Sequence, residues 1–198
     1  PVLIQSMTNT DTEDVRATVK QIKELEDAGC EIIRVSVYNE ACAKAFKDIK
    51  NQIKIPLVAD IHFDYKLAIS AMENGADKIR INPGNIGSDE RVKKVVDCAK
   101  AHGVPIRVGV NSGSLPKDLE QQYGHSAQAM VKAALRHVEL LEKFDFYDTV
   151  VSLKSSSVVT TIDSCVAFNK VSEYPQHIGV TEAGSNRQGF INAAIGIG

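Results

Sequence analysis

No pair of cysteines in this sequence has the C-x2-C spacing of a metal site; the four present, Cys30, Cys42, Cys98 and Cys165, are widely spread. Metal-site spacing is therefore missing, and a disulfide framework is not expected of so long a chain with so few loops. The four are read as small buried hydrophobes, in keeping with a reducing cytosol. No apolar run approaches the roughly 20 residues that span a bilayer, and no signal-peptide pattern opens the chain. Nor does charge of one sign prevail: 23 Lys and Arg stand against 25 Asp and Glu, a net charge of −2. Neither nucleic acid nor a membrane surface is thus expected as the main partner. No G-x-G-x-x-G follows the first strand-like run, which counts against a dinucleotide-binding sheet. The chain begins at Pro1 rather than Met and passes at once into that run, from which a removed or omitted leader is expected.

What remains is an ordinary globular composition, 198 residues with 43% hydrophobic and 24% charged, long enough for one domain with a substantial core. Strand-like and helical patterns alternate with a period of about 25 residues. A strand over 2–8 leads to a helix from Thr12 to Ala28, with Thr10 and Glu13 at capping-box spacing. "EIIRVSV" precedes a helix near 40–52, "IPLVAD" one near 65–74, and "DKIRIN" one near 88–102 with Ser88 as N-cap and Gly103 as stop. "PIRVGVN" leads to a helix over 126–144, "DTVVSLK" to one over 157–173, and "QHIGVTE" to a last one from about 187. Seven strand–helix units in unbroken succession predict a parallel α/β fold. Right-handed crossovers and one continuous repeat favour a (β/α)8 TIM barrel over an open sheet. With no eighth strand the barrel is expected to be incomplete, and residues 1–198 to form its truncated domain.

The strand-like segments end in polar rows. Residues two apart in a strand share a face, so Arg34 with Ser36, Arg80 with Asn82, Arg107 with Asn111, and Ser152 with Lys154 each aim one way. Asp60 with His62, and Glu182, follow the same rule with acids. Covered parallel strands should be apolar throughout, so these rows break the pattern at one end of every strand, where barrel sites lie. Four cations, Arg34, Arg80, Arg107 and Lys154, meet two anions, Asp60 and Glu182. Ions leave water only at a cost of several kcal/mol unless paired, so the surplus of two charges suggests a doubly charged ligand such as a diphosphate. Arginine holds phosphate in fork geometry, with lysine as a point charge beside it. Structural ion pairing inside the barrel is the plain alternative for any one of them.

Two loops could add anion-binding amides: "INPGNIGS" at a helix start, equally readable as a βα turn, and "VTEAGSNRQG", where Arg187 reads as a solvated helix-start residue. His62, in phase with Asp60 at a strand end, is a candidate for touching substrate. The remaining histidines, at positions 102, 125, 137 and 177, receive no chemistry. Lys154 invites comparison with Schiff-base aldolases, since neighbouring arginines could keep an amine neutral.

"QSMTNTDT", "PLVADIHFDY", "KIRINPGNIGS", "IRVGVNSGSLPKDL", "ALRHVELLE" and "GVTEAG" together closely resemble the bacterial 4-hydroxy-3-methylbut-2-enyl diphosphate synthases. The likeness runs collinearly over nearly the whole chain. It implies a TIM barrel followed by a small domain with a [4Fe-4S] cluster, in an iron-sulfur oxidoreductase of the non-mevalonate isoprenoid pathway. Such an enzyme reductively opens 2-C-methyl-D-erythritol 2,4-cyclodiphosphate with two electrons from ferredoxin or flavodoxin, losing water. On the matching positions, the resemblance implies that Arg34, Arg107, Asn111 and Lys154 hold the diphosphate and that Arg80 and Asn82 line the same pocket. Asp60, His62 and Glu182 would face the carbon skeleton and its hydroxyls. It also implies a cytoplasmic homodimer in which the cluster domain of one subunit closes over the barrel of the other. The family's cluster ligands, three cysteines and a glutamate, and its eighth strand have no counterpart in these 198 residues. The fragment alone is expected to bind substrate, hold no metal and turn nothing over. Two further readings stay open: a pterin-binding barrel transferase of the dihydropteroate synthase type, and a diphosphate-binding module without turnover.

Overall fold

A computed structural model describes residues 2–182 and 184–198. The chain divides into two compact units, Pro1–Ile106 and Arg107–Gly198.

The first unit repeats one pattern. β1 (Gln5–Met7) leads to α1 (Val15–Asp27), β2 (Ile32–Val37) to α2 (Glu40–Lys50) and β3 (Leu57–Ile61) to α3 (Tyr65–Glu73). β4 (Lys78–Ile81) is followed by the single turn α4 (Pro83–Ile86) and then α5 (Asp89–His102). The four strands are parallel and lie in chain order. Their apolar positions explain the packing: Ile33 and Val35 of β2, all of β3 but Asp60, and Ile79 and Ile81 of β4 are fully covered. The helices meet them with Ile22, Phe46, Ile49, Val92, Val95 and Val96, each 0% exposed. At the strand starts, the Asp77 carboxylate accepts from the Leu57 amide at 2.7 Å and pairs with Lys50. That bond ties β3 to the segment just before β4.

In the second unit β5 (Ile106–Asn111), whose first residue falls before the division, runs into a 3-10 turn at Ser112–Ser114. α6 (Lys117–Tyr123) and α7 (Ala127–Glu142) follow, then β6 (Thr149–Lys154), α8 (Val158–Asn169) and α9 (Asn186–Ile197). β6 lies beside β5.

Several predicted details change. The first helix is capped by Asp14, which accepts from the Ala17 amide, so the capping box of Thr10 and Glu13 does not form and the helix starts three residues late. Thr10 bonds Thr18 instead, and Glu13 bonds Asn39. Ser88 and Gly103 stand at the expected ends of α5, Gly103 with the positive φ of 64° that suits glycine. The segment read as one loop after β5 contains α6. Among the described residues there are six strands where seven were predicted. The seventh segment runs alongside β6, with His177 donating to the Val151 carbonyl at 2.8 Å, yet Gln176 forms only an isolated parallel bridge. Glu182 consequently ends no strand. It lies exposed in a bend, at φ 50°.

Candidate functional site

In the first unit the polar rows fall on one face. Along β2, Ile33, Val35 and Val37 are buried while Arg34 and Ser36 on the other face are partly exposed, and β4 alternates in the same way with Arg80. Strand register then sets the neighbours. Met7 lies opposite Arg34, Ser36 opposite Asp60, and Asp60 opposite Arg80.

Asp60 is the hub of this face. Its carboxylate, with the side chain 3% exposed, lies 3.3 Å from Arg80 Nη1, 3.7 Å from Arg34 Nε and 3.8 Å from His62 Nε2. Only the Arg80 contact has hydrogen-bond geometry. Burial pushes the Arg34 guanidinium below its usual range, Asp60 pulls it back and Arg80 lowers it further. From so high a starting value it remains charged. Two guanidinia around one carboxylate leave one positive charge in excess on a face largely out of water. An anion is its natural complement.

Met7 is a contact that the polar rows did not reveal. Its thioether accepts from Arg34 Nε at 3.1 Å and from Nη2 at 2.8 Å. Asn82 is buried, and its side chain caps α4 by accepting from the Gly84 amide at 3.1 Å. That amide of the "INPGNIGS" loop is thus already occupied. Tyr38, directly after β2 and in phase with Arg34 and Ser36, is another residue passed over. The same two-residue rule would have found it. Its hydroxyl donates to Asp11 Oδ1 at 2.5 Å, which raises the phenol and lowers the carboxyl from their ordinary values.

In the second unit Arg107 is 1% exposed and is among the largest fully buried side chains. It shares a face of β5 with Asn111, the half-buried last residue, and Gly109 lies between them in the row. On β6, Ser152 is buried and donates to the Val108 carbonyl at 3.4 Å, while Lys154 ends the strand half-buried. The Lys154 ammonium lies 3.5 Å from where a side chain on residue 179 would begin, so Gly179 leaves it room. Glu182 takes part in no ion pair among the described residues of this unit, and Arg187 is exposed on α9. The structure therefore brings Arg34, Asp60, His62 and Arg80 together, and sets Arg107, Asn111, Ser152 and Lys154 on neighbouring strands.

The cysteines do not assemble. Cys30 and Cys42 are buried as expected of small hydrophobes, while Cys98 and Cys165 are half-buried, their thiols raised chiefly by burial. Among the described residues no three His, Cys, Asp or Glu side chains come together as a metal site, so these residues do not fit an iron-sulfur cluster. Among the described residues, too, no helix is long and apolar enough to cross a membrane.

Comparison with known proteins bears on the family and the fold. The sequence model described as the GcpE TIM-barrel domain matches residues 1–198. A 4-hydroxy-3-methylbut-2-en-1-yl diphosphate synthase (flavodoxin) of Caldanaerobacter subterraneus subsp. tengcongensis is 58% identical over 199 residues, covering 100% of this chain and 56% of that protein. The protein of the same name from Proteus mirabilis is 52% identical, covering 100% of this chain and 53% of its own length. The chain thus spans about half the length of these curated relatives. Among solved structures, the Yersinia pestis dihydropteroate synthase superposes with a TM-score of 0.69 at 11% identity, over 98% of this chain and 79% of the other. The 3-dehydroquinate dehydratase of Geobacillus kaustophilus does so with a TM-score of 0.62 at 13% identity, over 90% and 74%. At such identities these likenesses speak for the fold alone, a parallel α/β fold of the TIM-barrel class, incomplete here.

Proposed function

Because the chain belongs to the GcpE TIM-barrel domain family, we propose that it is the substrate-binding part of a 4-hydroxy-3-methylbut-2-enyl diphosphate synthase. The observation that carries this reading is 58% identity extending over the whole chain. The fold alone would equally suit a pterin-binding transferase, since a dihydropteroate synthase superposes well. The family match favours the synthase.

The substrate is 2-C-methyl-D-erythritol 2,4-cyclodiphosphate, opened by two electrons with loss of water. Flavodoxin, present in the relatives' names, is the electron donor, and the full protein is a cytoplasmic homodimer with a [4Fe-4S] cluster. When bound, the cluster would supply electrons to the substrate, and among the described residues no group of side chains is arranged to hold it.

In the first unit, Arg34 and Arg80 present their surplus charge to the diphosphate. Asp60 holds both guanidinia in place and, with the more exposed His62, faces the carbon skeleton and its hydroxyls. Asn82 lines the same face from its capping position. In the second unit Arg107, Asn111, Ser152 and Lys154 are the substrate contacts. Each buried charge-assisted bond contributes about 1.5–3 kcal/mol. A hydroxyl leaves as water only if its oxygen gains a proton, and Glu182 orients that hydroxyl or passes the proton to it.

The test is direct. The full-length protein should bind the cyclodiphosphate in a calorimetric titration and convert it anaerobically with reduced flavodoxin. Binding of a pterin substrate, with none of the cyclodiphosphate, would overturn the reading.

A further inference from the structure

The residues after β1 cross the open end of β2 and are fastened there at three successive points. Thr12, 1% exposed, donates through Oγ1 to the Ser36 carbonyl at 2.7 Å. Tyr38 donates to Asp11 Oδ1 at 2.5 Å, and Asn39 donates through Nδ2 to Glu13 Oε1 at 2.6 Å. On the loop's other side Thr18 Oγ1 donates to the Asp11 carbonyl at 3.0 Å, so Asp11 is held from α1 as well as by Tyr38, just after β2. The loop begins at Thr8, whose amide donates to the Arg34 carbonyl at 3.1 Å, one residue after Met7.

This fastening has a consequence for Arg34. Among the described residues its guanidinium meets the Asp60 carboxylate at 3.7 Å and the Met7 thioether. A thioether is a weak acceptor. The position of the guanidinium therefore depends on Met7 as well as on Asp60, and Met7 ends β1, the strand from which the loop continues. The most exposed of the three fastenings is the Tyr38 bond, with Tyr38 itself 55% exposed. It adds little to folding stability, because exposed polar contacts contribute little. Its other effect is on geometry.

We propose that Tyr38, through its hydrogen bond to Asp11, is a positioning residue that sets Arg34 for the substrate diphosphate. The phenol acts through the loop, Thr8 and Met7, and needs no contact with substrate. The inference rests on the reading of this chain as a cyclodiphosphate-binding barrel.

The experiment measures cyclodiphosphate affinity by calorimetry, and melting temperature, in the full-length protein. Tyr38→Phe and Asp11→Ala should each weaken binding about fivefold, within the range transmitted by contacts one step removed from a ligand. Melting should move by less than about 2 °C. Asp11→Asn should stay within about twofold of wild type, because its amide oxygen still accepts the phenol hydrogen. In an Arg34→Lys background, where the fork that needs positioning is gone, Tyr38→Phe should add less than about twofold. A merely structural role would instead lower stability and carry its binding loss unchanged into that background. Tyr38→Phe with wild-type affinity, or full additivity with Arg34→Lys, overturns the proposal while the functional reading stands. Wild-type protein that fails to bind the cyclodiphosphate overturns the functional reading itself, and this inference with it.

Discussion

Replacing Asp60 with asparagine keeps the shape of the hub and removes its charge. The carboxylate faces Arg80 at 3.3 Å and Arg34 at 3.7 Å. At an effective dielectric constant of about 20 those attractions amount to roughly 5 and 4.5 kcal/mol. They are gross figures, offset in wild type by the cost of removing three ions from water. Breaking a buried pair by deleting one partner usually costs about 3–5 kcal/mol. Here the two arginine side chains retain 12% and 21% exposure, which lets water soften the loss, so about 3 kcal/mol is expected. For a chain of this size that lowers the melting temperature by roughly 6–12 °C. The same change raises the surplus charge on this face from one to two, so inorganic diphosphate, which has no hydroxyl for Asp60 to orient, should bind more tightly. A tenfold gain corresponds to about 1.4 kcal/mol of additional protection at saturating ligand. Thermal melts of wild type and Asp60→Asn at pH 7, with and without diphosphate, read both effects. An Asp60→Asn protein as stable as wild type, or one that diphosphate protects less than wild type, would show that Asp60 is not the electrostatic hub described.

Other perturbations follow from particular contacts. Burial, with Arg136 adding to it, lowers the buried His137 to about 4 from 6.5. A depressed value means that the unfolded chain takes up the proton first, so stability is intact above pH 6.5 and falls from there toward pH 4. The loss at pH 5 is about 2 kcal/mol, checked by melts across that window, and a His137 ring resonance titrating near 6.5 would contradict it. Arg107→Ala and Lys154→Ala in the full-length protein should each weaken cyclodiphosphate binding by a few kcal/mol, and isotherms within twofold of wild type for both would refute their assignment. Borohydride should trap no substrate on Lys154, whereas an adduct there would revive the Schiff-base alternative. Glu182→Gln should cut turnover by about 100-fold with affinity nearly intact; if turnover survives and only stability falls, Glu182 is structural.

Much was legible in the residues alone because the relevant rules are local. Two-residue alternation assigns a side chain to one face of a strand, and this placed Arg34, Ser36 and Arg80 on one face of their strands before any pairing was known. Ser88 and Gly103 marked the ends of α5 because caps are set by bonds within a single turn. The family, too, could be read from long unbroken motifs. Where two local solutions competed, the sequence was ambiguous. Thr10 and Glu13 fit a capping box, but both are drawn away by partners on other segments, Thr18 and Asn39, and Asp14 caps α1. The seventh strand-like run has the right apolar pattern, yet beside β6 only Gln176 forms a bridge, because a strand exists only to the extent that its backbone finds a ladder.

By itself, then, the sequence determined which side chains share a face, in what order strand and helix follow, and which family the chain resembles. All of these depend on neighbours within a few residues or on whole motifs. Which residue stands beside which was decided by the tertiary structure. The parallel registers that set Ser36 against Asp60, and Asp60 against Arg80, come from pairing between segments some 20 residues apart. They turn a carboxylate counted as one of two scattered anions into the support for two arginines. The pairing of β1 with β2 set Met7 against Arg34, and the loop after β1 brought Asp11 to Tyr38. No local pattern encodes those meetings, because their geometry exists only once the strands have paired.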